Sequence, residues 1–140
     1  MNAVDILAKL RAGRELKVVV DHITFIGQCP LYSRLMRVMT DSFKDTDMAP
    51  DAVMASKCIT NWEGVTEADI LPGGDPTVVV PFDKALFEEL VLDNKDWWIP
   101  ISKAITSSVM DRQVKKEAEI KNSPATTTRK RSKGSRARAT

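Results

Sequence analysis

The chain is short of the residues that most chemistry needs. It has one histidine, His22, in 140 residues. A metal site built on two histidines and a His-His acid–base pair are thereby excluded. Any Ser-His-Asp arrangement would have to use His22. Ser33, Ser42, Ser56 and Ser102 all lack the Gly-x-Ser-x-Gly context that exposes a nucleophilic serine on a sharp turn. There are two cysteines, Cys29 and Cys58, far apart and outside any Cys-x-x-Cys pair. They read as reduced, buried thiols and make no disulfide framework or zinc set. Apolar runs are short: Val18–Val20 and Val78–Val80 are the longest of their kind and fall far below the length of a bilayer span. The N-terminus has no basic region followed by an apolar stretch, so no secretory signal is expected. These absences point to a non-enzymatic cytoplasmic protein with no cofactor and no membrane partner.

Glycine and carboxylate motifs are equally thin. Gly73 and Gly74 in "LPGGDP" fit neither Gly-x-x-x-x-Gly-Lys-Ser/Thr nor Gly-x-Gly-x-x-Gly, so they read as turn residues. "DSFKDTD" has carboxylates at calcium-loop spacing but lacks the glycine and closing glutamate. Most other acids sit on polar faces or at helix starts. Asp83 is expected in the first turn of its helix, where negative charge favours the dipole.

What the chain does have is a charge asymmetry. From Arg129 to the end there are six basic residues and no acid: Arg129, Lys130, Arg131, Lys133, Arg136 and Arg138. The preceding residues hold 15 Lys and Arg against 19 Asp and Glu, a net charge of −4. An acidic body therefore carries a basic tail, suited to phosphate backbones or an acidic partner. The tail lacks aromatic residues for stacking on bases. Residues 123–140 show no apolar periodicity and are expected to be disordered. Residues 1–122 should form a single mostly helical domain.

Periodicity gives an α+β fold, mainly α with a short N-terminal strand or hairpin. "AVDILAKLRAG" predicts a helix with Val4, Leu7, Ala8 and Arg11 on one side, stopped at Gly13. "ELKVVVDHITFIGQ" is β-branched and reads as one long strand or two short ones turning at Asp21-His22. After Pro30, Leu31, Leu35, Met36, Val38 and Met39 form a helical stripe. A second helix begins near Pro50, its face expected to be Val53, Met54, Lys57, Cys58 and Trp62. A further helix is expected over 82–92, with Phe82, Leu86 and Leu90 at i, i+4, i+8. A last helix is expected from Trp97, with Pro100 in its first turn and Ile101, Ala104, Ile105, Ser108 and Val109 inward. Its stripe fades past Met110. Trp62 and Phe82 then stand at the two ends of a turn-rich loop, where they are expected to act as a clamp.

The residues at those ends support a resemblance. Trp62, Gly64 and Val65 in "NWEGV", and Pro81, Phe82, Asp83, Leu86 and Leu90 in "PFDKALFEEL", match two elements of the small tail assembly chaperones of long-tailed bacteriophages. The similarity covers roughly residues 16–110. Trp97-Trp98-Ile99-Pro100 and the basic tail depart from the family pattern. The resemblance implies a non-enzymatic protein of the host bacterial cytoplasm. It would bind the long helical tape measure protein and keep it soluble until tail tube protein subunits polymerise around it. Self-association is also expected. Trp62, Phe82, Leu86, Trp97, Trp98, Met36 and Met39 are the candidate partner contacts, methionine being suited to adaptable surfaces. The competing reading is a small nucleic-acid-associated protein acting through its basic tail.

Overall fold

The computed structural model describes residues 1–41 and 49–121. The expected disordered tail and all of the calcium-like "DSFKDTD" motif after Asp41 lie outside the described residues. The fold is α+β, with a three-stranded antiparallel sheet in the order β1-β2-β3 among helices. The chain divides into two units, Met1–Val109 and Met110–Thr140, a division inside the 1–122 domain expected from the sequence.

α1 (Ala3–Ala12) is capped by Asn2, whose side chain accepts from the Asp5 N–H at 2.9 Å, and it stops at Gly13 as the sequence suggests. Its expected inner face is not one: no α1 residue is buried. β1 (Glu15–Val20) and β2 (Ile23–Gln28) form a hairpin, with Val20 opposite Ile23 across the two-residue turn Asp21-His22. Asp21 takes the positive φ that such a turn needs, at 55°. Alternation sends Leu16, Val18, Ile23 and Phe25 inward.

α2 (Tyr32–Asp41) begins two residues beyond Pro30 and buries Leu35, while Leu31 and Met36 stay exposed. α3 (Pro50–Cys58) has Pro50 in its first turn as expected. Its buried residues are Ala52, Met54, Ala55, Ser56 and Cys58. The expected face is thus corrected: Lys57 is exposed and Val53 half-buried, because the small residues Ala52 and Ala55 take the inward positions.

β3 (Ile59–Glu63) follows α3 directly, so Trp62 is a strand residue and does not continue the α3 face. Ile59 and Trp62 are three apart, which in a regular strand would send them to opposite faces. A bulge resolves this. Ile26 pairs with Asn61 and Gly27 with Ile59, leaving Thr60 unpaired, and both Ile59 and Trp62 reach the core. Gly27 makes the approach possible: a Cβ there would lie 2.1 Å from the Cys58 carbonyl oxygen.

α4 (Glu67–Ile70) is one turn held by a capping box, in which Asp69 accepts from the Thr66 N–H at 2.8 Å. The turn-rich segment after it returns alongside Val65, with Val80 N–H donating to Val65 O at 2.8 Å. α5 (Lys84–Leu92) has Asp83 as its N-cap, accepting from Leu86 N–H at 2.9 Å, so its start lies two residues later than Phe82. Its fully buried pair is Phe87 and Val91; Phe82, Leu86 and Leu90 are half-buried beside them. The inward face is therefore rotated by one residue from the expected i, i+4, i+8 line.

α6 (Lys95–Lys121) starts before Trp97, at a turn where Trp97 and Trp98 both donate their N–H groups to the Asn94 carbonyl. Pro100 is therefore inside the helix and not in its first turn. It lies only one turn in, where a single i→i−4 bond is forgone. Within the first unit, Ile101, Ile105 and Val109 are buried, as their spacing indicates. In the second unit the described residues, 110–121, are the rest of the same helix, with Met110, Val114 and Ile120 exposed.

Candidate functional site

The centre of the first unit is aromatic. Phe25 comes from β2, Trp62 from β3, Phe87 from α5 and Trp97 from α6, each 6% exposed or less. Trp97 stands edge-on to Phe25 at 5.1 Å, and Trp62 is T-shaped to Phe87 and Trp97 at 6.1 and 6.2 Å. Such pairs contribute about 0.5–1.5 kcal/mol each beyond the area they bury. Phe82 closes the cluster from just before α5, at 5.2 Å and 79° to Trp62. The Trp62 indole N–H donates to Val80 O at 2.8 Å, satisfying the one polar atom the ring takes inside. Gly64, at φ 83°, lets the chain turn beside the indole, and a Cβ there would lie 2.4 Å from His22 O. Residues 61 to 82 are thus closed by a ring-to-ring contact at their ends.

The sequence-derived contact residues divide by exposure. Trp62 and Trp97 are core residues. Phe82, Leu86, Trp98 and Met39 are half-buried at the core's edge. Met36, on α2, is exposed at 36%. Trp62, Phe82 and Trp97 form one cluster with Phe25 and Phe87. Arg129, Lys130, Arg131, Lys133, Arg136 and Arg138 lie outside the described residues.

Clefts lined by described residues open on this unit. One, of about 520 Å³, is lined by Asp69, Ile70, Glu89, Leu90, Asp93 and Trp97 among others. His22 stands nearby, its Nε2 2.8 and 2.9 Å from the two Asp69 oxygens. Partial burial opposes the charge on Asp69, but hydrogen bonds from His22 and from the Thr66 N–H and hydroxyl outweigh it and hold its pKa below 3.8. Asp69 is thereby the acid of the α4 capping box and the anchor of the β-hairpin turn. The second cleft, of about 310 Å³, lies where β2 ends and α2 and α3 approach, with Cys29 and Cys58 on its floor. Burial pushes the Cys58 thiol up to about 11, and the neighbouring Cys29 adds to the rise, so Cys58 stays protonated. Among the described residues no group of three or more His, Cys, Asp or Glu side chains is gathered for a metal ion, and no helix is long and apolar enough to cross a membrane.

Two residues with no expected role, Lys84 and Asp69, tie elements together. Lys84 reaches back from α5 to donate to the Ser56 and Ile59 carbonyls at 2.7 and 2.9 Å, satisfying acceptors at the end of α3. No local pattern marks it. Asp69 had a signal, the Thr66-x-x-Asp69 spacing of a capping box ahead of an apolar residue. The chain matches no family model, no curated protein and no solved structure.

Proposed function

We propose that this chain is a tail assembly chaperone of the kind found in long-tailed bacteriophages. It is non-enzymatic, works in the host bacterial cytoplasm, and binds the long helical tape measure protein until tail tube protein replaces it. One observation supports this reading above the others. The two short elements behind the resemblance, Trp62-Gly64-Val65 and Pro81-Phe82-Asp83, are distant in sequence but meet through the Trp62–Phe82 contact and the Trp62–Val80 hydrogen bond. Residues joined this way make a coherent structural signature, with Val65 fully buried behind them. Contacts to the partner then fall to the exposed or half-exposed apolar residues Met36, Met39, Phe82, Leu86 and Trp98, while Trp62 and Trp97 serve the fold.

The test is affinity capture of the tagged full chain from bacteria producing a resident long-tailed phage. Captured proteins are identified by mass spectrometry after washes at low and high salt. A very long, helix-rich protein retained at high salt is the expected result, since apolar contacts are not screened. Nucleic acid released by high salt, with no long helical protein retained, would overturn the reading. It would favour the nucleic-acid alternative, which the six basic residues between Arg129 and Arg138 support. In that case truncation after Ser123 should abolish the salt-sensitive binding.

A further inference from the structure

The smaller cleft has a composition that the aromatic centre and the phage reading leave unused. Its floor is apolar: Cys29 is 1% exposed and Cys58 8%, with the Cys58 thiol kept neutral by burial. Pro30 and Leu31 form a wall, and Leu31 is 53% exposed, a large apolar side chain left partly open beside a concavity. Arg34 from α2 and Lys57 from α3 stand on the rim, both exposed. No carboxylate is among the lining residues, and among the described residues no ion pair joins Arg34 or Lys57 to an acid. The Gln28 amide at the cleft's edge is already committed, donating to Arg11 O at 2.6 Å.

This arrangement discriminates between ligands. At about 310 Å³ the cleft is at the low end of small-ligand sites, which run from about 300 to 1,000 Å³, so it suits an anchoring side chain better than a whole cofactor. An apolar floor under a basic rim fits a large apolar side chain flanked by carboxylates. Arg34 can grip a carboxylate through two parallel hydrogen bonds and Lys57 as a point charge. A nucleic acid would bring phosphate to the rim but leave the floor empty, and no exposed aromatic lines the cleft to stack a base. We infer that the cleft between β2, α2 and α3 is a docking site for an acidic peptide segment of a partner protein that inserts a large apolar side chain between Arg34 and Lys57. The inference uses none of the residues on which the phage reading rests, and either can fail without the other.

The experiment titrates the purified full chain into a fluorescently labelled synthetic peptide of glutamates and leucines. Two counterparts are run alongside, one with lysine for glutamate and one with serine for leucine, plus a single-stranded oligonucleotide. The acidic, leucine-containing peptide should bind at least about tenfold more tightly than either counterpart. The double variant Arg34→Glu/Lys57→Glu should weaken that binding by about tenfold or more. Circular dichroism melting establishes that the variant is folded; if it is not, Leu31→Ser and Arg34→Gln are each expected to weaken binding several-fold in a folded protein. Equal binding of the acidic peptide and its serine counterpart would overturn the inference, because the apolar floor would then be irrelevant. Unchanged affinity in the folded rim variants would also overturn it and would assign the binding to the basic residues 129–138. So would equal competition by the oligonucleotide, or a dimer by sedimentation that Arg34→Glu dissociates, since a second copy would then occupy the cleft.

Discussion

α5 and α1 are helices of nine and ten residues, each with an Asp or Asn side chain capping its start and each rich in apolar residues. Their fates differ completely. α5 buries Phe87 and Val91 to zero exposure and brings Lys84 across to the end of α3. α1 buries nothing: Val4, Ile6, Leu7 and Leu10 are 43–74% exposed. The difference is what each helix finds opposite its apolar face. α5 packs on an aromatic surface formed by β2, β3 and α6, whereas α1 precedes the hairpin and is tied to it by the Gln28–Arg11 hydrogen bond. An amphipathic pattern thus reports that a helix has a face to cover and leaves open what will cover it.

Substitutions can test that contrast in order of size. Trp62→Ala should destabilise the protein most, by about 3–5 kcal/mol, because it empties the site where β3, α5 and α6 meet and leaves Val80 O without its donor. Urea denaturation would measure it, and a loss below about 1 kcal/mol would contradict the central role given to this ring. Gly27→Ala should come next at about 1–3 kcal/mol, since its Cβ would meet the Cys58 carbonyl and β3 would have to shift. Amide exchange in β3 should rise with it. Lys84→Met removes two hydrogen bonds, but its exposure and water's ability to replace it hold the expected loss to about 1 kcal/mol. At the other end, Leu7→Ser and Leu10→Ser on α1 should each stay within about 0.5 kcal/mol of the parent. A larger loss would mean that α1 is covered in solution.

The Asp69 capping box supplies a pH test. Its folded pKa is depressed, so its contribution is fully present above the unfolded value of 3.8 and is lost as the pH falls through the folded value. Asp69→Asn should therefore be less stable than the parent at neutral pH, and the two should converge in thermal melts as the pH drops below that range. Parallel curves would show that the carboxylate charge is not what holds α4 and His22.

Much of this was legible in the chain. The β-branched residues around Asp21-His22 fitted one long strand or two short ones, and the structure shows the two-strand form; the α6 face followed from Ile101, Ile105 and Val109, and the α+β class from both regions together. Three features were not, for separable reasons. Trp62, four residues after Cys58, reads as a continuation of the α3 face, whereas it lies in β3 and reaches the core through the bulge opposite Gly27. Pro100 reads as a helix start, yet Asn94 offers its carbonyl earlier and α6 begins there. The exposure of α1 is a property of its surroundings and has no local signature. At the candidate site, the meeting of Trp62 and Phe82 was legible, whereas the basic-rimmed cleft was not, because Arg34 and Lys57 come together only when α2 and α3 pack beside the end of β2.

The contact between Trp62 and Phe82 is the centre of this account, and a double-mutant cycle tests it most directly. Trp62→Leu, Phe82→Leu and the double variant would be compared with the parent by urea denaturation. The structure predicts a coupling energy of about 0.5–1.5 kcal/mol, as befits an edge-to-face pair closing residues 61 to 82. Strictly additive losses would contradict it, and the loop would then have to be held by its turns and backbone hydrogen bonds alone.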